Sequence, residues 1–332
     1  MESKELQIKL FKQIQERIAP INLIDELIVL FRISTSGAYR RINGETLITI
    51  DELANVLNRY PMVSFESLIR PQQIVYNFPS MIAPPKNMFE FLDAIERDLI
   101  QIAALPNPFI SYAAMEVPFF HYLLVPEIAA FKLYMWSRTV WHLEATKHQP
   151  FELENNKTQI VFQSQIQRIA QLYASIAGEE IWNNNMLDIT LNQLRYCYHA
   201  GRFKKKEDIR KLFDLLRGLI QKLNNIVIFG EKRSGDGVAK VQVWYNELVQ
   251  NNAFILVQLS EKQRFVYTIF DAPNFMNSSE SRMCEYSQAF FNRLKSYSLP
   301  LNEAINDSNR LLFIDRLNKK VNAFELDLFD NP

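Results

Sequence analysis

A short stretch near the N-terminus combines side chains that can bind phosphate groups and the edges of bases. Residues 32–46 read RISTSGAYRRINGET, and residues 27–44 contain Arg32, Arg40 and Arg41 but no acidic residue. The whole chain, in contrast, balances 37 basic against 37 acidic side chains. Guanidinium, hydroxyl and amide groups without a nearby carboxylate can donate hydrogen bonds to phosphate and base atoms. This local placement of charge is the clearest chemical signal in the sequence.

A helix from Ser34 to Ile42 would separate these groups by face. Ala38 and Ile42, four residues apart, would point inward, while Arg40 and its helical neighbours at 36, 39 and 43 would point outward. In a DNA major groove an arginine can pair with guanine and an asparagine with adenine, and hydroxyl groups and a helix N-terminus can bind phosphates. The candidate DNA-binding residues are Ser34, Thr35, Ser36, Gly37, Tyr39, Arg40, Arg41 and Asn43.

Alternative roles exist for several of these residues. Glycine inside a helix costs roughly 1 kcal/mol relative to alanine, so Gly37 suggests a close approach to DNA near the first turn. Arg41, three residues from Ala38, could instead pair with an acid in the bundle, and Tyr39 could cover the edge of the bundle. For the helix as a whole, the alternative is a solvated basic surface on a small helical bundle.

The elements that would position this helix are short helices within residues 1–70. Helical spacing of apolar residues predicts a first helix that Pro20 ends. Asn22 can cap a second helix, and Thr49 to Glu52 has the form of a capping box that opens a fourth. The segment SFESLI is predicted as a short fifth helix. Five helices in so short a segment predict a compact bundle.

Beyond the bundle, the sequence predicts a Pro-rich linker over residues 71–87 and a region over 88–332 that serves dimerisation or effector sensing. The middle of that region reads as long helices, including segments near 157–176, 179–199 and 206–225. Three runs rich in β-branched and aromatic residues then follow a loop at 230–237, separated by Asn251–Asn252 and SEKQ, which predicts a small antiparallel meander. Helices near 278–297 and 307–323 close the chain. The predicted fold class is therefore mainly α.

Residues 21–69 resemble the helix-turn-helix of the phage-repressor-like class, and more closely the BetR-type N-terminal domain of bacterial transcription regulators. The resemblance implies that the helix containing AYRRI is the recognition helix and that a scaffold helix over 22–32 precedes it. The broader motif favours glycine where this chain has Arg32, so the turn must close without a left-handed glycine or shift. The residues that carry the resemblance are Ile33, Ser34, Ala38, Tyr39, Arg40, Arg41, Ile42, Gly44, Glu45, Leu47 and TIDEL at 49–53.

Signals for catalysis are weak. His142 and His148 are six apart and do not share a helical face, and Cys197 and His199 lie nearly opposite on a helix, so neither pair predicts a metal site. Glu116 and Glu127 flank an aromatic segment and could line a pocket with His121, although a histidine buried in an aromatic core is the simpler interpretation. The sequence contains no Gly-x-Ser-x-Gly motif, no Walker loop and no dinucleotide-binding fingerprint. We therefore expect a protein that is not an enzyme and needs no metal or cofactor.

Two further stretches favour plain structural roles. The basic run at 202–211 could contact phosphate, but its acids Glu207 and Asp208 favour a solvated helix start. The uncharged stretch Leu99–Met115 spans 17 residues, short of the ~20 that cross a bilayer, and contains two prolines. Two cysteines are too few for a disulfide framework and fit a reducing compartment.

Together these features predict a cytoplasmic transcription regulator that binds double-stranded DNA as a homodimer, without a membrane segment. Its effector would be an unidentified small molecule or protein. The alternative is a protein-interaction or ligand-sensing module whose helical bundle no longer binds DNA. Binding to DNA phosphates should weaken steeply with salt, whereas an apolar protein interface should not.

Overall fold

A computed structural model describes residues 2–18, 21–60, 63, 65–70, 73–153, 159–247, 253–258 and 264–330. The first part, residues 2–70, is called the head, and residues 88–330 are called the body. No helix within these described ranges is long and apolar enough to cross a membrane. Some residues on which the sequence predictions depend lie outside the described ranges, namely Pro20, Pro71, Asn251–Asn252 and SEKQ.

The head is a bundle of helices around a small apolar core. Leu10, Leu27, Ala38 and Val56, from four different helices, are fully buried at its centre. The predicted caps are confirmed: Asn22 accepts a hydrogen bond from the Ile24 amide, and Thr49 with Glu52 forms a complete capping box. The helices are α1 (Ser3–Ile18), α2 (Leu23–Phe31), α3 (Thr35–Ile42), α4 (Ile50–Arg59) and α5 (Phe65–Ile69).

The segment between the head and the body is fastened to the body. Asn77 and Asn277 exchange two backbone hydrogen bonds of 2.8 Å, and the Ser278 hydroxyl donates to the carbonyl of Val75 at 2.7 Å. A short helix, α6 (Pro79–Ile82), follows within the proline-rich part. The described part of the predicted linker is thus packed along the edge of the body.

The body combines helices with one large sheet. Its helices are α7 (Met88–Ala103), α8 (Phe119–Tyr122), α9 (Pro126–Thr139), α10 (Glu144–Lys147), α11 (Gln159–Ala174), α12 (Asp188–His199), α13 (Asp208–Phe229), α14 (Ser281–Ser296) and α15 (Asp307–Asp330), with a 3-10 helix over Ala304–Asn306. Its strands are β1 (Phe109–Ala113), β2 (Ala177–Trp182), β3 (Glu231–Ser234), β4 (Gly237–Tyr245), β5 (Phe254–Gln258), β6 (Arg264–Asp271), β7 (Asn274–Ser278) and β8 (Leu299–Pro300).

The predicted fold class, mainly α with a small antiparallel meander, is wrong. The structure contains a mixed eight-stranded sheet in the order β3-β4-β2-β1-β5-β6-β7, with β8 paired to β4. Strands β1, β2 and β4 are parallel, and only β5, β6 and β7 form the antiparallel meander. The body is therefore an α/β structure, and β4 and β5 are separated by two central strands.

The central strands explain the error. Four of the five residues in β1 and five of the six in β2 are buried, because helices cover both faces of the sheet. Such strands lack the two-residue alternation of a half-exposed strand, and periodicity cannot distinguish them from a buried helix. The segment 179–199, predicted as one helix, contains most of β2 and then α12. Gly178 permits the tight pairing, since a Cβ there would lie 2.3 Å from the Ile110 carbonyl oxygen.

The sheet divides the body into two apolar layers. Ile110 and Tyr112 of β1 and Ile255 of β5 pack towards α7, α9 and α11. Ala113 of β1 and Leu256 of β5 lie on the opposite face, against Phe291 of α14. The alternation of side chains along each strand thus supplies both layers with core residues.

Candidate functional site

The turn between α2 and α3 closes around a left-handed arginine. Arg32 has φ 54° and ψ 48° at the C-cap of α2, and its backbone N–H donates to the carbonyl of Ile28. Ser34 then caps α3, because its hydroxyl accepts a hydrogen bond of 3.2 Å from the Gly37 amide. Arg32 therefore closes the turn at the position where the helix-turn-helix motif favours glycine. Both helices of the predicted helix-turn-helix are present and packed against each other.

The outward face of α3 exposes six of the eight predicted site residues. Tyr39 is 51% exposed, and α3 has no acidic residue in its first turn and two arginines in its last. The face offers three hydroxyl-bearing residues at the N-terminal end and a guanidinium and an amide nearer the C-terminal end. The six exposed residues are Ser34, Thr35, Ser36, Tyr39, Arg40 and Asn43.

The other two predicted residues point into the head. Gly37 is buried, and a Cβ at this position would lie 3.4 Å from atoms of Ile33 and Ser34, which is ordinary contact. Arg41 lies 2.7 Å from a carboxylate oxygen of Glu52 in α4 and 5.9 Å from the ring of Phe31. Arg41 thus pairs with an acid inside the bundle, which was the alternative role that the sequence left open. Arg40, in contrast, is exposed to solvent.

A buried glutamine in α1 orients the loop that follows α3. The Gln7 amide donates to the carbonyls of Arg41 at 2.6 Å and Thr46 at 2.9 Å, and its oxygen accepts from the Ile48 amide at 2.8 Å. One side chain therefore hydrogen-bonds to three backbone groups, at the end of α3 and in the loop that follows it. Sequence reasoning missed Gln7, although a glutamine next to the apolar stripe of Leu6 and Leu10 was a usable signal.

The body contains a second set of polar residues, buried around one carboxylate and called here the Glu180 cluster: His121, Tyr173, Glu180, Trp182 and Lys232. One oxygen of Glu180 accepts hydrogen bonds of 2.7 Å from Trp182 and pairs with His121 at 2.7 Å, and the other accepts from Tyr173 at 2.7 Å. Burial alone would raise the pKa of Glu180, but the attraction of His121 and Lys232 and these hydrogen bonds outweigh it and lower the pKa to about 2.

Lys232 is the least satisfied member of the Glu180 cluster. Its side chain is only 2% exposed, and its Nζ atom lies 3.8 Å from the centre of the Tyr173 ring. Within the described part of the chain this ammonium has no hydrogen-bond partner. Burial lowers the pKa of Lys232 to about 8, against the opposing attraction of Glu180.

The predicted pocket around His121 does not form as one site. His121 faces Glu180, whereas Glu116 pairs with the fully buried Lys132 at 2.9 Å and lines a cavity of its own. Glu127 lines a different cavity, beside Tyr134. His121 is therefore a buried core histidine with a carboxylate partner. In the basic run at 202–211, Asp208 is buried at the start of α13 and accepts from the Leu153 amide.

Metal ligands do not assemble in the described ranges, where no group of three or more histidine, cysteine, aspartate and glutamate side chains could hold an ion. Cys197 and Cys284 are both buried. Comparisons with protein families, with curated proteins and with solved structures found no match for this chain. Of the polar sites described, the outward face of α3 is exposed to solvent, whereas the Glu180 cluster is buried.

Proposed function

We propose that this protein is a transcription regulator that binds double-stranded DNA through the outward face of α3. The observation that carries the proposal is the exposure of six hydrogen-bonding residues, including Arg40, on a helix whose neighbours fix its orientation. A helix with this surface has the dimensions and the donors needed to enter a major groove. The chain as a whole is neutral, so the attraction to DNA comes from this local face.

The proposed contacts divide between bases and phosphates. Arg40 lies in the last turn of α3, and Asn43 is the C-cap of that helix. Both side chains can reach base edges, where arginine prefers guanine and asparagine prefers adenine. Ser34, Thr35 and Ser36 surround the N-terminus of α3, where hydroxyl and backbone N–H groups can bind phosphate. Arg41 supports the site indirectly, because its guanidinium is engaged by Glu52.

We further propose a cytoplasmic homodimer. A single helix-turn-helix covers only a short half-site, and dimers of such domains bind two half-sites about one helical turn apart. The body, much larger than the head, offers surface for this contact. A palindromic binding site together with a dimeric mass in light scattering would support this part of the proposal, and a strict monomer both free and on DNA would oppose it.

The experiment selects binding sites from a pool of random duplexes with the purified full chain, at two salt concentrations, and sequences the retained DNA. Arg40→Ala is the test variant. Lys222→Ala is its control, because Lys222 is also an exposed cation but lies on α13 in the body. Enrichment of one sequence by the wild type and the control, lost in Arg40→Ala, supports the proposal. Failure of the wild type to enrich any sequence at low salt contradicts it and favours the non-DNA-binding module.

A further inference from the structure

The body encloses an apolar cavity of about 270 Å³. One wall is the sheet face formed by β1, β5, β6 and β7, and the opposite wall is α7. Phe119 and Phe120 of α8 also line the cavity, and three further lining residues, Met115, Ile189 and Phe270, are exposed to solvent. This cavity, called here the body cavity, is separate from α3 and from the Glu180 cluster.

The size of the body cavity suits a small aromatic molecule. A cavity of roughly 150 Å³ lined by apolar side chains binds benzene, so the body cavity has room for about two fused rings. Aromatic side chains, including Phe91, Trp136 and Tyr267, line its walls. Rings of this kind contact a bound aromatic molecule by edge and face, and they attract a cation through their π faces.

The charged side chains that line the body cavity determine whether it prefers a cationic or an anionic ligand. Among the described lining residues the charged side chains are Asp98 and Glu116, and both are acidic. Glu116 is neutralised by Lys132. Asp98 is exposed to solvent and accepts a hydrogen bond of 3.4 Å from the Tyr267 hydroxyl. A positively charged group near Asp98 would be attracted by its carboxylate, whereas an anionic group there would be repelled.

We propose that the body cavity binds a small aromatic amine of about two fused rings, with its ring among the aromatic walls and its ammonium group at Asp98. This binding site goes beyond the proposed function, since nothing in it depends on DNA. Pro79 and Ser80 of α6 also line the cavity. A ligand there would touch the segment that joins the head to the body, as an effector of the regulator would.

The test titrates the full-length protein, without DNA, by calorimetry with 1-naphthylmethylamine and with 1-naphthoate, which carry the same ring system and opposite charges. Ala94→Trp fills the cavity, because Ala94 lines it from an exposed position on α7. Gln101→Trp is the control of equal bulk, on the same helix and exposed but outside the cavity lining. Asp98→Asn removes the carboxylate, and Glu285→Gln removes an exposed carboxylate on α14 as its control.

The proposal expects saturable, one-to-one binding of the amine that is at least roughly tenfold tighter than binding of the naphthoate. Ala94→Trp should weaken amine binding by roughly tenfold or more, while Gln101→Trp should not. Asp98→Asn should reduce the preference for the amine, and Glu285→Gln should leave it unchanged. No saturable binding of the amine, equal or tighter binding of the naphthoate, or equal effects of the two tryptophan variants would overturn the proposal. None of these results bears on DNA binding by α3.

Discussion

The guanidinium of Arg41 lies 2.7 Å from the carboxylate of Glu52, an ion pair that joins α3 to α4. The side chain of Arg41 is 18% exposed and that of Glu52 is 16% exposed, so water screens this pair only partly. Arg40, the next residue, lies about 100° further round α3 and is exposed to solvent. Two adjacent arginines therefore have different roles, since one stabilises the bundle and the other is available to a ligand.

Arg41→Ala should destabilise the head more than Arg40→Ala does. Arg41→Ala removes a partly buried charge pair and should destabilise the head by about 1–2 kcal/mol. Arg40→Ala removes an exposed side chain and should change stability by about 0.5 kcal/mol or less. Amide hydrogen exchange of α3 and α4 in the full chain measures both effects. Equal loss of protection in the two variants would show that Arg41 does not stabilise the bundle.

Arg32→Gly should stabilise the head by about 1 kcal/mol, because a left-handed conformation is strained for a residue with a Cβ and free of strain for glycine. The gain is limited by the greater freedom of glycine in the unfolded chain. Arg32→Ala is the matched control, since it removes the same charge but keeps the Cβ. Thermal unfolding of the full chain compares them, and an alanine variant as stable as the glycine variant would refute the argument from φ.

Gln7→Met should destabilise the head by about 2–3 kcal/mol, because it leaves the Ile48 amide and the Thr46 carbonyl without the buried side chain that pairs with them. It should also weaken DNA binding, since the loop after α3 loses its attachment to α1. Glu5→Met, at an exposed position of the same helix, is the control. Hydrogen exchange of residues 43–48 reports the loop directly, and unchanged protection in Gln7→Met would contradict the assigned role.

Lys232→Met should stabilise the body near neutral pH, because the folded protein must hold a buried ammonium with few partners. The pKa of Lys232 falls from 10.5 to about 8 on folding. Between these values the unfolded chain binds a proton that the folded chain does not, so wild-type stability rises with pH from about 8 to 10.5. The full penalty, about 3 kcal/mol at 1.36 kcal/mol for each pKa unit, is present below pH 8.

The measurement is the difference in free energy of unfolding between Lys232→Met and the wild type as a function of pH. This difference should be largest near pH 7 and should shrink as the pH rises through the window from about 8 to 10.5. A difference that stays constant across the window would mean that the lysine is charged in both states. Lys222→Met, at an exposed position, should show no such dependence.

Much of the head could be predicted from the sequence because its signals are local. The caps at Asn22, Ser34 and Thr49 and the apolar spacing of α2 and α3 act within a few residues, and the structure has these elements where the sequence predicts them. The sheet of the body could not be predicted in the same way. The pairing of β1 with β2 joins residues 68 positions apart, such as Phe109 and Ala177, and strands buried on both faces carry no alternation.

In the candidate site, too, features set by neighbouring residues could be predicted, whereas contacts between residues far apart in the chain could not. Helical spacing alone separates Arg40 from Ala38, and the exposed face matches that spacing. The partners of Arg41 and Gln7 lie 11 to 41 residues away in the chain, so spacing within α3 could not identify them. The Glu180 cluster likewise assembles from α8, α11, β2 and β3, and the body cavity from still more elements.

The most direct test of DNA binding by α3 measures the affinity of the full chain for the selected duplex and for a scrambled duplex of the same composition, at one fixed salt concentration. The wild type and Lys222→Ala should prefer the selected duplex. Arg40→Ala should lose about 1–3 kcal/mol of that preference, the contribution of one arginine paired with guanine. If Arg40→Ala keeps the full preference of the wild type and Lys222→Ala, the outward face of α3 does not read the DNA.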